Sequence, residues 1–227
     1  MTRQHFHETL ADMEHQLLAM GDLAGTSVQR AVEAIVRHDD TIAQAVVDGD
    51  DRIDELYMEI DHGILQLLAL QQPVAADLRL VSAILHSCLH LERIGDQAVN
   101  VAKIHLVTNH LPWSEPMVQQ IDEMGTLVGR MIRVAMEAFA KRDLSLCLML
   151  PELDDPVDRL NRKMHLEALK LADDPRSLDW GMHMNLAARA LERVGDNAVD
   201  IAEQVSFLVT GEFREFTDAS HDTPVPE

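Results

Sequence analysis

Glu92 and Asp96 stand four residues apart, and so do Glu192 and Asp196. On a helix, positions i and i+4 lie on one face. Two carboxylates on one rigid rod begin a ligand set for a hard cation, which takes several oxygens at once. A neighbouring helix has to supply the rest. Asp54 or Asp61 can do so for the first pair, and Asp158, with His165, for the second. One turn farther on, Asn100 extends the first face and Asp200 extends the second. Asn offers a neutral carbonyl oxygen, so it ligates without adding charge. The second site, richer in acid, is expected to bind more tightly. His165 would bias it towards iron or zinc over magnesium, because imidazole suits borderline metals.

The plainer reading is a solvated face, with Arg93 and Arg193 as neutralisers, and charge runs on helices usually are that. Two features argue for more. The same pair stands in both halves of the chain. Like charges at i, i+4 also weaken a helix by about 0.2–0.5 kcal/mol unless something neutralises them.

Both pairs lie in copies of one motif. LERIGDQAVNVA at 91–102 recurs as LERVGDNAVDIA at 191–202, identical at eight of twelve positions with an offset of 100. A second echo has an offset of 104: MGDLAG at 20–25 answers MGTLVG at 124–129, and Asp50-Asp51 answers Asp154-Asp155. The chain is a tandem duplication whose second copy lacks four residues between these segments.

Each copy reads as three helices. Leu10, Met13, Leu17, Met20, Ala24, Val28, Ala31 and Ile35 recur at three- and four-residue steps, which predicts one long amphipathic helix. Asp39-Asp40 and Asp48 to Asp51 punctuate the pattern before Ile53, Leu56 and Ile60 begin a second stripe. Gln71-Gln72-Pro73 ends it. Val81, Ile84, Cys88, Leu91, Ile94, Ala98 and Val101 form the third, with Glu92 and Asp96 off that core stripe. In the second copy Pro151 and Pro156 mark the first break. Asp174-Pro175 marks the next, a cap followed by Pro at the first helical position. Gly95 and Gly195, costly inside helices, predict a close helix–helix approach. No strand pattern is visible. The expected fold is all-α, two tandem antiparallel three-helix bundles over 1–111 and 112–216, with Ser114 capping the fourth long helix. Residues 217–227 read as a disordered tail.

Composition narrows the function. Acidic residues outnumber basic ones 39 to 19, a formal charge of −20, so nucleic acid and anionic lipid are repelled. No segment has the length of a membrane span or a signal peptide. Cys88 and Cys147 sit in apolar helical patterns and read as reduced core thiols of a cytoplasmic protein. No nucleophile elbow, phosphate-binding loop or CxxC pair is present, so a catalytic role has no anchor. His86 and His90 have ligand spacing, but His90 lies about 200° around the helix from Glu92. Glu59-x-x-His62 is half of a dimetal-carboxylate signature, and Lys163-x-x-Leu166 stands where its partner would be. The rival reading is therefore a dimetal-carboxylate bundle, a metal store or enzyme; a bare scaffold is the third.

The duplicated plan, LERIGD and LERVGD, and QQPVAADLRLV at 71–81 together resemble the PhoU family over residues 8 to 215. The resemblance implies a pair of three-helix bundles. It implies a non-enzymatic cytoplasmic negative regulator of phosphate uptake and of phosphate-starvation signalling. Its implied partners are the ATPase subunit of the phosphate ABC transporter, a sensor histidine kinase and a second copy in a homodimer. It also implies metal ions, iron, manganese, zinc or magnesium, held on Glu/Asp-x-x-x-Asp motifs of the outer faces. Carried onto this chain, the third-helix motif is intact as Glu92/Asp96 and Glu192/Asp196. The second-helix motif departs from the pattern: Tyr57 precedes Asp61, and Asn161 precedes His165, where acids are usual.

Overall fold

A computed structural model describes residues 3–70 and 73–216. Among these the chain forms helices and no strand. In order they are α1 (Arg3–Arg37), α2 (Asp40–Asp48), α3 (Asp51–Leu70), α4 (Ala76–Thr108), α5 (Glu115–Lys141), α6 (Leu144–Cys147), α7 (Leu150–Leu169) and α8 (Pro175–Thr210). The three long helices expected of each copy are α1, α3 and α4, then α5, α7 and α8. Gln71, Gln72 and the 217–227 tail lie outside the described residues.

Each copy also has a short helix that the periodicity does not announce. His38 and Arg142, 104 residues apart, both adopt φ 55° and stop α1 and α5. A left-handed residue with a Cβ costs about 1 kcal/mol. The following N–H offsets it: Asp39 N donates to Ala34 O at 2.9 Å, and Asp143 N to Ala138 O at 3.1 Å. The same aspartates then cap the short helices. Asp39 accepts from the N–H of Thr41 and Ile42, and Asp143 from that of Ser145. The Ile42 N–H leads in lowering the Asp39 carboxyl, and the Ser145 hydroxyl, followed by its N–H, in lowering that of Asp143.

Other boundaries follow the sequence with two differences. Asp174 caps α8 by accepting from Arg176 and Ser177 N–H, and Pro175 is the first helical residue. Ser114 stands at the cap position of α5 with an extended backbone, but its hydroxyl makes no capping bond. Pro156 lies inside α7 rather than at a break. It is early enough that the only ladder bond it removes is to the Glu152 carbonyl. The residues missing from the second copy come out at the far end of α7, which stops at Leu169. α3, also of 20 residues, runs five residues past the position that answers Leu169, and Leu65 and Leu70 are exposed near its tip.

α1, α3 and α4 pack as one bundle, and α5, α7 and α8 as the other. α1 also packs on α5, and α4 on α8, so one continuous apolar core runs through both halves. Cys88 and Cys147 are buried free thiols within it, and burial pushes them up to about 12 and about 11.

The MGxLxG echo lies on the α1–α5 contact. A Cβ on Gly21 would sit 2.8 Å from Met136 Cγ, and one on Gly125 would sit 2.7 Å from both Val32 methyls. Gly21 with Met136 and Gly125 with Val32 are the same contact seen from the two copies, as in an isologous interface. Their neighbours differ in stiffness. Met bends out of the way, whereas Val is locked at χ1. Gly→Ala in a helix gains about 1 kcal/mol and overpacking costs about 1–3 kcal/mol. Gly21→Ala is therefore expected to be close to neutral, and Gly125→Ala to be destabilising by about 1–2 kcal/mol. Urea denaturation of both variants measures the difference, and equal midpoints would contradict the contact.

Candidate metal centres

Glu92 and Asp96 project from α4 towards the start of α3, where Asp50 and Asp54 stand. Burial raises the Glu92 carboxyl, and the charges of Asp96, Asp54 and Asp50 raise it further against Arg93. Asp50 is raised by burial too, then by Asp54 and Asp96. Gly95 makes the approach possible. A Cβ there would lie 3.0 Å from Ile53 Cδ1 and 3.6 Å from Asp50 Oδ1. The glycine expected at a helix–helix contact thus sits directly under a carboxylate.

The second centre repeats this between α7 and α8, more deeply. Asp154, the counterpart of Asp50, is only 4% exposed, and Glu192 only 8%. A Cβ on Gly195 would fall 2.5 Å from Asp154 Oδ1. Glu192 Oε1 is paired with Arg189, while Oε2 is buried and has no hydrogen-bond partner. Burial pushes the Glu192 carboxyl up to about 7, helped by Asp196 and Asp158 and opposed by Arg189. Asp158 itself meets Arg162 at 3.4 Å. Glu192 was expected off the core. It is instead sealed by the packing of α7 on α8.

Among the described residues no three His, Cys, Asp or Glu side chains converge on a single ion-sized point. The backbone groups four acids at each centre. The donor set still suits a hard cation. It offers carboxylate oxygens from two helices, a buried Glu192 oxygen without a donor, and a glycine that keeps the space over Asp154 open. Asp50, Asp54, Glu92 and Asp96 would hold one ion, and Asp154, Asp158, Glu192 and Asp196 the other. A bound ion would neutralise the acids and tie α3 to α4, or α7 to α8.

Several expected ligands lie elsewhere. Asp61, farther along α3 than Asp54, acts together with Glu92 on the Tyr57 hydroxyl and on the Cys88 thiol. His165 is exposed on α7 and is not among the groups that act on Glu192. Asp200 turns to α4, with Oδ2 3.3 Å from His90 Nδ1. Asn100 is exposed along the same seam, its Nδ2 3.5 Å from Gln97 Oε1. The reason is angular: eight residues advance about 80° beyond whole turns, which carries positions 100 and 200 from the α3 or α7 side to the α4–α8 seam. His90, on the far side of α4 from Glu92, is held there by Asn197 and Asp200. Glu59 and His62 are exposed, beside Arg52 and Gln66 respectively.

Asp50 and Asp154 are the candidate ligands that the sequence reading did not name. The signal was present, because they open the Asp-Asp echo at offset 104. They read as punctuation because each precedes its helical stripe.

The pattern of the PhoU domain matches residues 17–104 and 121–205. The chain belongs to the PhoU family. Both acidic centres fall inside the PhoU matches. The chain is 35% identical over 212 residues to the phosphate-specific transport system accessory protein PhoU homolog of Caulobacter vibrioides, covering 93% of this chain and 92% of that one. It is 36% identical over 219 residues to the homolog so named in Pseudomonas aeruginosa, covering 96% and 88%. The crystal structure of PhoU from Pseudomonas aeruginosa superposes with a TM-score of 0.87 at 36% identity, covering 91% of this chain and 100% of that one. That of the phosphate transport system regulatory protein PhoU from Streptococcus pneumoniae gives 0.85 at 28% identity, covering 93% and 100%. Where described this chain forms helices and no strand, and no helix of the described residues is long and apolar enough to cross a membrane.

Proposed function

We propose that this chain is a non-enzymatic cytoplasmic regulator of phosphate uptake and of phosphate-starvation signalling, acting as a negative regulator. The observation that carries this is likeness over nearly the whole chain to relatives named as accessory proteins of phosphate-specific transport. It works by contact, as a homodimer, with the ATPase subunit of the phosphate transporter and with a sensor histidine kinase. The two acidic centres hold iron, manganese, zinc or magnesium and set the relative position of the helices that those partners touch. The absence of a nucleophile–base pair from the sequence supports a role through contact.

The test is genetic. Deleting the gene in its organism of origin is expected to release phosphate-regulated alkaline phosphatase activity in phosphate-rich medium. Restoring the wild-type chain is expected to repress it again. A strain carrying Glu92→Gln, Asp96→Asn, Glu192→Gln and Asp196→Asn together is expected to remain released at equal protein level. Full repression in the deletion strain would overturn the regulator. Full repression in the quadruple variant would overturn the role of the centres alone.

A further inference from the structure

The duplication relates α4 to α8 by an approximate twofold, so their seam has two equivalent places. In one, His90 fills the space between the helices, with Nδ1 2.9 Å from Asn197 Oδ1 and 3.3 Å from Asp200 Oδ2. The chain's own segment after α8 covers this place. Phe213 meets Phe207 with ring centroids 6.5 Å apart, Phe216 packs against the core, and Phe216 N–H donates to Glu203 Oε1. An extended peptide carrying aromatic side chains is thus the occupant of this half of the seam.

The other place is built from the residues one hundred positions away. Ala190 stands for His90, Asn100 for Asp200, Lys103 for Glu203 and Val107 for Phe207. A groove of about 440 Å³ opens there. Its floor includes Ile104, Val107 and Leu186, and its rim Lys103, Arg189 and Arg193. Val107 is 58% exposed and Leu186 57%. Among the described residues Lys103 and Arg193 form no salt bridge within 4 Å, although the Lys103 charge reaches Asp50 and Arg189 is paired with Glu192. Three cations around one groove run against a chain of net charge −20.

We propose that this groove binds an extended acidic peptide segment of a partner protein, seating a large apolar side chain on Val107 and Leu186 and its carboxylates on Lys103 and Arg193. The occupied twin shows the form of the occupant, and the exchange of Glu203 for Lys103 reverses its polarity. Where Glu203 accepts a peptide N–H, the Lys103 ammonium donates to a carboxylate or carbonyl. Opposite charge across such a seam selects the partner and speeds encounter. This inference needs neither metal in the acidic centres nor a role in phosphate regulation.

The experiment is fluorescence anisotropy of a labelled Glu-Phe-Asp-Glu-Phe-Asp peptide titrated with the full chain at low salt. Saturable binding is expected, weakened at least ~10-fold, or ~1.4 kcal/mol, by Lys103→Glu with Arg193→Glu. Both side chains are exposed, so the helix content should not change. Ala190→His places in this groove the side chain that fills its twin and should weaken binding similarly. A Lys-Phe-Arg-Lys-Phe-Arg peptide should not bind the groove. No saturable binding up to about 1 mM, or equal binding by parent and variants, would overturn the proposal. So would saturable ATP binding lost on Lys103→Glu, with the peptide inert, since that would make the groove a small-anion site.

Discussion

Glu192→Gln is expected to make the metal-free protein more stable at about pH 8, while removing its ability to be stabilised by metal. Burial and neighbouring acids raise the Glu192 carboxyl from an ordinary 4.5 to about 7. Below about pH 4.5 the group is protonated in both folded and unfolded chains and contributes no pH dependence. Between that pH and about 7 the folded chain holds a proton that the unfolded chain has lost. Folding therefore becomes less favourable as pH rises through this window, and the loss is complete above it. One pKa unit corresponds to about 1.4 kcal/mol, so the rise from 4.5 to about 7 is worth roughly 3.5 kcal/mol, which solvent screening lowers to about 2–3 kcal/mol. Gln keeps an oxygen for Arg189 and carries no charge. It should recover most of that loss, raising the melting temperature of the chelated protein by about 4–10 °C for a chain of this length. A thermal melt in chelator at about pH 5 and about pH 8 checks both arms. A variant less stable than the parent at the higher pH would show that Arg189 outweighs the buried acids.

The second large effect is expected at Gly195. Alanine there would put a methyl 2.5 Å from Asp154 Oδ1, with Met131 at 3.4 Å behind it. The carboxylate must move into packed surroundings, since Asp154 is nearly fully buried. Overpacking of this kind costs about 1–3 kcal/mol, beyond the roughly 1 kcal/mol that alanine returns to the helix. The matched change Gly95→Ala meets Ile53 Cδ1 at 3.0 Å and Cγ2 at 3.3 Å, with Asp50 Oδ1 at 3.6 Å, and should cost less than Gly195→Ala. Adding Asp154→Ala to Gly195→Ala should recover part of the loss if the clash is its cause, which a double-mutant cycle measures. Equal destabilisation by Gly95→Ala and Gly195→Ala would contradict the close approach over Asp154.

The helices and the duplication were legible because apolar periodicity and repetition are carried by many residues at once. The glycines of LERIGD and LERVGD pointed correctly to a close approach. What lies over them was not legible. Asp50 and Asp154 come before the stripe of their helices, and only packing decides that they face Glu92 and Glu192. The burial of Glu192 is likewise tertiary, set by α7 lying on α8. Positions 100 and 200 were grouped with the acidic stripe by counting turns, and the drift of about 80° over eight residues moved them to another face. The left-handed stops at His38 and Arg142 left no glycine to mark them. Asp39-Asp40, read as punctuation, gave the first of these breaks away, and Asp143 was not read as one.

The most direct test of the account is elemental analysis of protein purified without chelator. The parent is compared with Glu192→Gln/Asp196→Asn, with Glu92→Gln/Asp96→Asn, and with all four changes together. The account predicts bound metal in the parent, partial loss in each double variant with the larger loss in the first, and none in the quadruple variant, at unchanged helix content. Metal content equal to the parent's in the quadruple variant would contradict it and leave both acidic faces as solvated surface.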